Sequence, residues 1–144
     1  MKTSEMINKE QQAEILKAIG TAERNTSGEI RVHIEKKCPV DVLDRAAFIF
    51  KKLKMHNTQL RNGVLFYLAL EDRKFAILGD AGINAKVQEN FWDDIKNVLA
   101  EHFQNSDFAG GLSKGIIMAG EQLTTFFPIQ PDDVNELSDD ISFG

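Results

Sequence analysis

Apolar and polar positions change period several times along the chain, and each change marks an element. From Ser4 to Arg24, Ile15, Leu16 and Ile19 share one face among charged neighbours, which predicts a helix with Ser4 as its N-cap. Asn25-Thr26-Ser27-Gly28 ends it with turn-forming residues. Glu29 to Lys36 then alternates, with Ile30, Val32 and Ile34 to one side and Arg31, His33 and Glu35 to the other, the pattern of a half-buried strand. Beyond Pro39, Asp41 can cap a helix to about Met55 whose stripe is Leu43, Ala46, Ala47, Phe50 and Leu53. Gly63 to Leu70 is apolar throughout, as in a central strand covered on both faces. Glu71-Asp72-Arg73 turns the chain into Lys74 to Leu78, its antiparallel partner.

Two long helices follow. The first carries Val87, Phe91, Ile95, Val98, Leu99 and Phe103; the second, capped near Ser106, carries Phe108, Leu112, Ile116, Ala119, Leu123 and Phe127. Gly111, Gly115 and Gly120 each weaken that helix by about 1 kcal/mol relative to Ala, and close backbone packing is the expected compensation. Pro128 and Pro131 stop it. The order α-β-α-β-β-α-α, with helices for both faces, predicts an α/β fold: a three-layer α/β/α sandwich around a small mixed sheet. Residues 1–128 form one domain, and residues 129–144 are expected to be an acidic, flexible tail.

Charge narrows the partners. Five of the 22 acids lie between Gln130 and Gly144 with no base, which leaves 17 acids against 17 bases in the body. A neutral body lacks the phosphate-neutralising surface that nucleic-acid binding needs. The single cysteine, Cys38, excludes an internal disulfide and any paired-cysteine metal motif. Met1 to Gly20 has no continuous apolar run of the signal-peptide type, and no stretch has the length of a membrane span, so the expected location is cytoplasmic.

Four blocks between Gly28 and Gly82 carry a family likeness: Gly28-Glu29-Ile30, Asn62-Gly63-Val64-Leu65, Glu71-Asp72-Arg73-Lys74, and Gly79-Asp80-Ala81-Gly82-Ile83. With Phe103, Phe108 and Gly111 to Gly115, their order and spacing resemble the TPM-domain family over residues 5–127. That resemblance implies an α/β/α sandwich. Relatives include a plant thylakoid-lumen protein of photosystem II repair, with phosphatase-type activity, and an accessory protein of acetylcholine receptors in worms. A divalent ion accompanies some members. Arg61 stands here where an acid often precedes Asn-Gly in the family, and Ala81 stands where an aromatic often separates the two glycines.

Chain direction points to the same region. Two parallel strands start at one end of the sheet and an antiparallel third finishes there, so Glu29, Asn62 and Asp80 converge. Asp93 and Asp94 are expected two to three turns into the next helix. Carboxylates and an amide oxygen are hard donors suited to Ca²⁺ or Mg²⁺, making Glu29, Asn62, Asp80 and Asp93 the candidate metal ligands. The competing reading makes Glu29 an exposed strand-start acid, Asn62 a turn residue and Asp80 a cap. The tail acids are a second, nonspecific cation candidate, or a solvated run.

Lys51, Lys52, Lys54 and Arg61 near that edge can hold a phosphate beside a metal, or simply complement a helix C-terminus. His33, His56 and His102 lack ligand spacing, and no Gly-x-Ser-x-Gly elbow exists. Trp92 is either a half-exposed boundary residue or part of a binding surface. The leading expectation is a noncatalytic divalent-cation-binding domain acting as an accessory or protein-interaction module, with a partner that is membrane-associated in the family's manner. The alternative is a metal-assisted phosphatase using Asp80 and Glu29.

Overall fold

The computed structural model describes residues 2–131, 136–137 and 139–144. The elements, in order, are α1 (Thr3–Met6), α2 (Lys9–Glu23), β1 (Glu29–Glu35), α3 (Val42–Lys52), β2 (Gly63–Ala69), β3 (Lys74–Gly79), α4 (Ala81–Asn84), α5 (Asp93–Gln104), α6 (Phe108–Leu123) and β4 (Ser142–Phe143). The sheet order is β3-β2-β1-β4. β1 runs parallel to β2, with Glu29 opposite Gly63, and β3 is antiparallel to β2, with Gly79 opposite Val64.

Side-chain alternation divides the core into two layers. Ile30, Val32, Ile34, Val64, Phe66 and Leu68 pack with α2, α5 and α6 on one face. Leu65, Tyr67 and Ala69 pack with Ala46, Ile49 and Phe50 of α3 on the other. This is the predicted α/β/α sandwich. The α6 glycines do permit close packing. A Cβ on Gly120 would lie 2.7 Å from Ala22 of α2, and one on Gly115 would lie 3.0 Å from Leu99 of α5.

Four local expectations need correction. The first helix is two helices, because Asn8 caps α2: its side chain accepts from Gln11 N and the Gln11 side chain accepts from Asn8 N. This reciprocal capping box outweighs Ser4 as a start signal. β1 is covered on both faces, since His33 and Glu35 are buried along with Ile30, Val32 and Ile34. In α3 the buried stripe is Ala46, Ile49 and Phe50, while Leu43 and Ala47 face solvent. Asp93 and Asp94 are the first two residues of α5, because Val87 and Phe91 belong to the irregular segment after α4.

The fourth strand was absent from the sequence reading. Ser142 and Phe143 lie parallel to β1, opposite His33 and Ile34. Asp132 and Asp133 of the acidic run lie outside the described residues. No helix among the described residues is long and apolar enough to cross a membrane.

Candidate functional site

Main-chain bonds bring the predicted residues to one end of the sheet. Glu29 N donates to Asn62 O at 3.1 Å, Asp80 N to Gly63 O at 2.9 Å, and Gly82 N to Arg61 O at 2.8 Å. A Cβ on Gly82 would sit 2.1 Å from Leu60 O, so only glycine lets α4 lie this close to the loop before β2. Glu29, Asn62 and Asp80 are all buried.

Asp80 caps α4 by accepting from Ala81 N at 2.7 Å, and it is gripped by Arg61, whose Nε and Nη2 donate to its two oxygens at 2.7 and 2.8 Å. The fork-on-fork geometry suits a guanidinium, and the Arg61 side chain remains 51% exposed while that of Asp80 is 5% exposed. Arg61 has a φ of 51°, in the left-handed region. Of the four bases near this edge, Arg61 is the one bonded to a candidate ligand; Lys51 and Lys52 sit exposed in the last turn of α3.

Glu29 accepts the main-chain amides of Glu136 at 2.6 Å and Leu137 at 3.3 Å. Burial pushes its carboxyl above the usual range; those two amides oppose the shift, and Glu136 and Asp139 add to it. Glu23 lies beside it at the end of α2. Burial, a hydrogen bond with Asp139 and the charges of Asp139 and Glu29 push Glu23 up to about 9, against the Ile30 amide it accepts. Glu23 was not among the predicted ligands, and Asp139 entered only as one of the tail acids.

Asn62 uses its Nδ2 to donate to Ser27 O at 3.0 Å, while its Oδ1 is buried with no hydrogen-bond partner among the described residues. A buried acceptor without a donor costs about 1–3 kcal/mol, so this oxygen is unusual among the polar atoms here. Asp93 stands apart: it is exposed, and its N–H donates to Asn90 O.

The donor set therefore fits a hard cation in part. The Asn62 oxygen is ready. Glu29 spends two of a carboxylate's roughly four acceptor positions on amides, and Asp80 spends three, two of them on Arg61. Among the described residues, no group of three or more His, Cys, Asp or Glu is gathered to hold a metal ion.

At the other end of β1, Glu35 accepts from Arg45 Nε and Nη2 at 2.8 and 2.9 Å, from the Tyr67 hydroxyl, and from His33 Nε2 at 3.1 Å. Although burial works against it, these donors hold Glu35 down at about 2. Burial lowers the His33 pKa, with Glu35 opposing and Arg45 and Lys52 assisting. The other ring nitrogen, His33 Nδ1, lies 2.8 Å from the Ser142 hydroxyl. Trp92 is buried, its ring nearly perpendicular to that of Phe91.

An α/β/α sandwich with these sheet-end residues defines a class, and sequence comparison gives it a family. The TPM-domain family pattern matches residues 1–122, and the chain belongs to that family. Among solved structures, it is 48% identical to the BA42 protein of the psychrophilic bacterium Bizionia argentinensis, over 96% of this chain and 95% of that one, with a TM-score of 0.91. The N-terminal domain of a P. gingivalis protein shares the fold at 19% identity, with a TM-score of 0.67 over 83% of this chain and 78% of that one. The N-terminal domain of the cg2496 protein of Corynebacterium glutamicum shares it at 15% identity, with a TM-score of 0.62 over 94% and 79%. No curated protein matches the chain.

Proposed function

We propose that this TPM domain is an accessory or protein-interaction module that takes a divalent cation, Ca²⁺ or Mg²⁺, at the Glu29–Asn62–Asp80 end of the sheet. The observation that carries the reading is the Asn62 Oδ1, a buried oxygen with no donor among the described residues. It sits where the main chain ties together the residues bearing two buried carboxylates. Hard oxygens of this kind suit Ca²⁺ or Mg²⁺. Asp93, exposed on α5, is at most an outer ligand reaching the ion through water.

Arg61 acts in this reading as an internal competitor, a cation already seated on Asp80. Its exposed guanidinium has solvent to move into. Removing a competitor this exposed is expected to tighten cation binding by a factor on the order of five. The test is a ¹⁵N-HSQC titration of the full chain and of Arg61→Gln with Ca²⁺ and Mg²⁺. Saturable shifts at Glu29, Asn62 and Asp80 are expected in both, about fivefold tighter in the variant. Two titrations with no saturable shift at those residues would sink the reading.

A further inference from the structure

Charge is segregated on this molecule. Residues 36–54, which span α3 and its flanks, carry six bases and two acids, whereas the rest of the chain carries 11 bases and 20 acids. The same stretch holds three of the six large apolar side chains that are exposed among the described residues. Leu43 and Phe48 are each 56% exposed, and Val40 is 52% exposed.

Helical spacing orders these groups. Leu43, Ala47 and Lys51 form one row along the solvent side of α3, and Asp44, Phe48 and Lys52 form the next, all six exposed. Both acids lie at the start of the helix. Asp41 caps it by accepting from Leu43 N and Asp44 N, and Asp44 sits in the first turn. Lys36 and Lys37 precede the helix, and Lys51, Lys52 and Lys54 close it; among the described residues none of these five is in an ion pair. Nearby, Asp72 accepts from Cys38 N while Lys74 donates to Cys38 O, so those two charges offset one another.

Phe48 is also braced. The Arg45 guanidinium lies 5.2 Å from its ring centroid, and that guanidinium is itself held by both Glu35 oxygens. Lysines in a last turn suit the helix dipole, but the dipole gives Val40, Leu43 and Phe48 no reason to face water. A ridge of apolar tips between cations, on a body of opposite charge, matches the headgroup layer of an anionic bilayer. The tips reach the acyl boundary, the lysine stems lie along it, and their ammonium groups meet phosphates. An acidic protein would need a pocket for each tip, and a bilayer needs none. The acidic remainder is repelled by the same surface, so the charge distribution also sets the orientation.

We propose that the outer face of α3 is a docking surface for an anionic phospholipid bilayer, on which the helix lies parallel to the membrane plane without crossing it. This goes beyond the cation reading and does not rest on it, since the face contains none of Glu29, Asn62 and Asp80. The test is run in EDTA, so either reading can fail alone.

The full chain is floated with vesicles of phosphatidylcholine and phosphatidylglycerol in equal parts, and with vesicles of phosphatidylcholine alone. Binding to the mixed vesicles only is expected, weakening as salt is added. Lys51→Gln together with Lys52→Gln should reduce it by roughly tenfold or more, and Phe48→Ser by roughly tenfold. No binding to the mixed vesicles, or equal binding to both kinds, overturns the proposal. Loss with the lysine pair but not with Phe48→Ser reduces the contact to surface charge and overturns it too. Self-association that Phe48→Ser abolishes, without vesicle binding, assigns the face to a second copy and likewise overturns it. Should Phe48→Ser not fold, the unaltered chain decides, with gadolinium-headgroup lipid in the mixed vesicles. The amides of Val40, Leu43 and Phe48 are expected to broaden ahead of those of α5 and α6; even broadening, or broadening centred elsewhere, overturns the docking surface.

Discussion

Glu29 and Glu35 are the first and last residues of the same strand, both buried, and their surroundings have opposite electrostatic character. Glu35 is met by a guanidinium fork, a phenol and an imidazole, so its charge is compensated in place. Among the described residues Glu29 accepts two main-chain amides and lies among further carboxylates. One end of β1 thus uses a carboxylate to fasten the α3 layer to the sheet. The other end gathers the carboxyl groups of Glu29, Glu23 and Asp139, and burial and proximity favour the protonated forms of Glu23 and Glu29. Burial is alike at the two ends, so donor count and neighbouring charge are what set the two glutamates apart.

The largest test of that contrast is Glu35→Ala. It strands buried donors and an arginine, and it is expected to destabilise the chain by about 3 kcal/mol or more in urea unfolding. A loss below about 1 kcal/mol would mean the network is incidental. Glu29→Gln keeps one acceptor and loses the other, so about 1–2 kcal/mol is expected. Its loss should be concentrated in faster exchange of the Glu136 and Leu137 amides; uniform loosening of the sheet would break the comparison.

Acid and alkali probe the two ends separately. The depressed Glu35 contributes stability that is fully present above its ordinary 4.5 and is lost as pH falls through about 2. The raised Glu23 contributes stability that is fully present below 4.5 and is lost as pH rises through about 9. Glu29 has the same sign as Glu23. The smallest expected effect is therefore that of Glu23→Gln, near neutral at pH 5 but flattening the decline in stability between about pH 5 and 9. A decline as steep as the parent's would remove Glu23 from the account.

Much of the fold was legible because Gly63 to Leu70 is apolar at both parities, which reads only as a strand covered on two sides. His33 and Glu35 misled because alternation scores them as solvent-facing, whereas each is buried by a specific partner. The available signal was Tyr67, the one hydroxyl in that apolar run, which the parallel register sets opposite His33. Leu43 misled differently: it belongs to the α3 stripe by spacing, yet in the first turn it is exposed, and Ile49 takes its place in the core. Of the candidate site, the gathering of residues 29, 62 and 80 followed from strand direction alone. The Arg61 grip on Asp80 is a matter of side-chain geometry, and the approach of Asp139 to Glu23 joins segments far apart in sequence. Ile141 and Phe143 alternate with Ser142 inside the acidic run, a short strand signal masked by the surrounding charge.

The buried phenol that serves Glu35 has one more consequence. Tyr67 is the chain's single tyrosine and Trp92 its single tryptophan, and they fall in the two hydrophobic clusters on opposite faces of the sheet. The protein therefore carries two intrinsic fluorophores, each reporting on one layer without labelling. If the layers melt as one cooperative unit, the tyrosine and tryptophan signals give superimposable unfolding curves; if they do not, the gap between the curves measures how loosely the sheet couples its two sides.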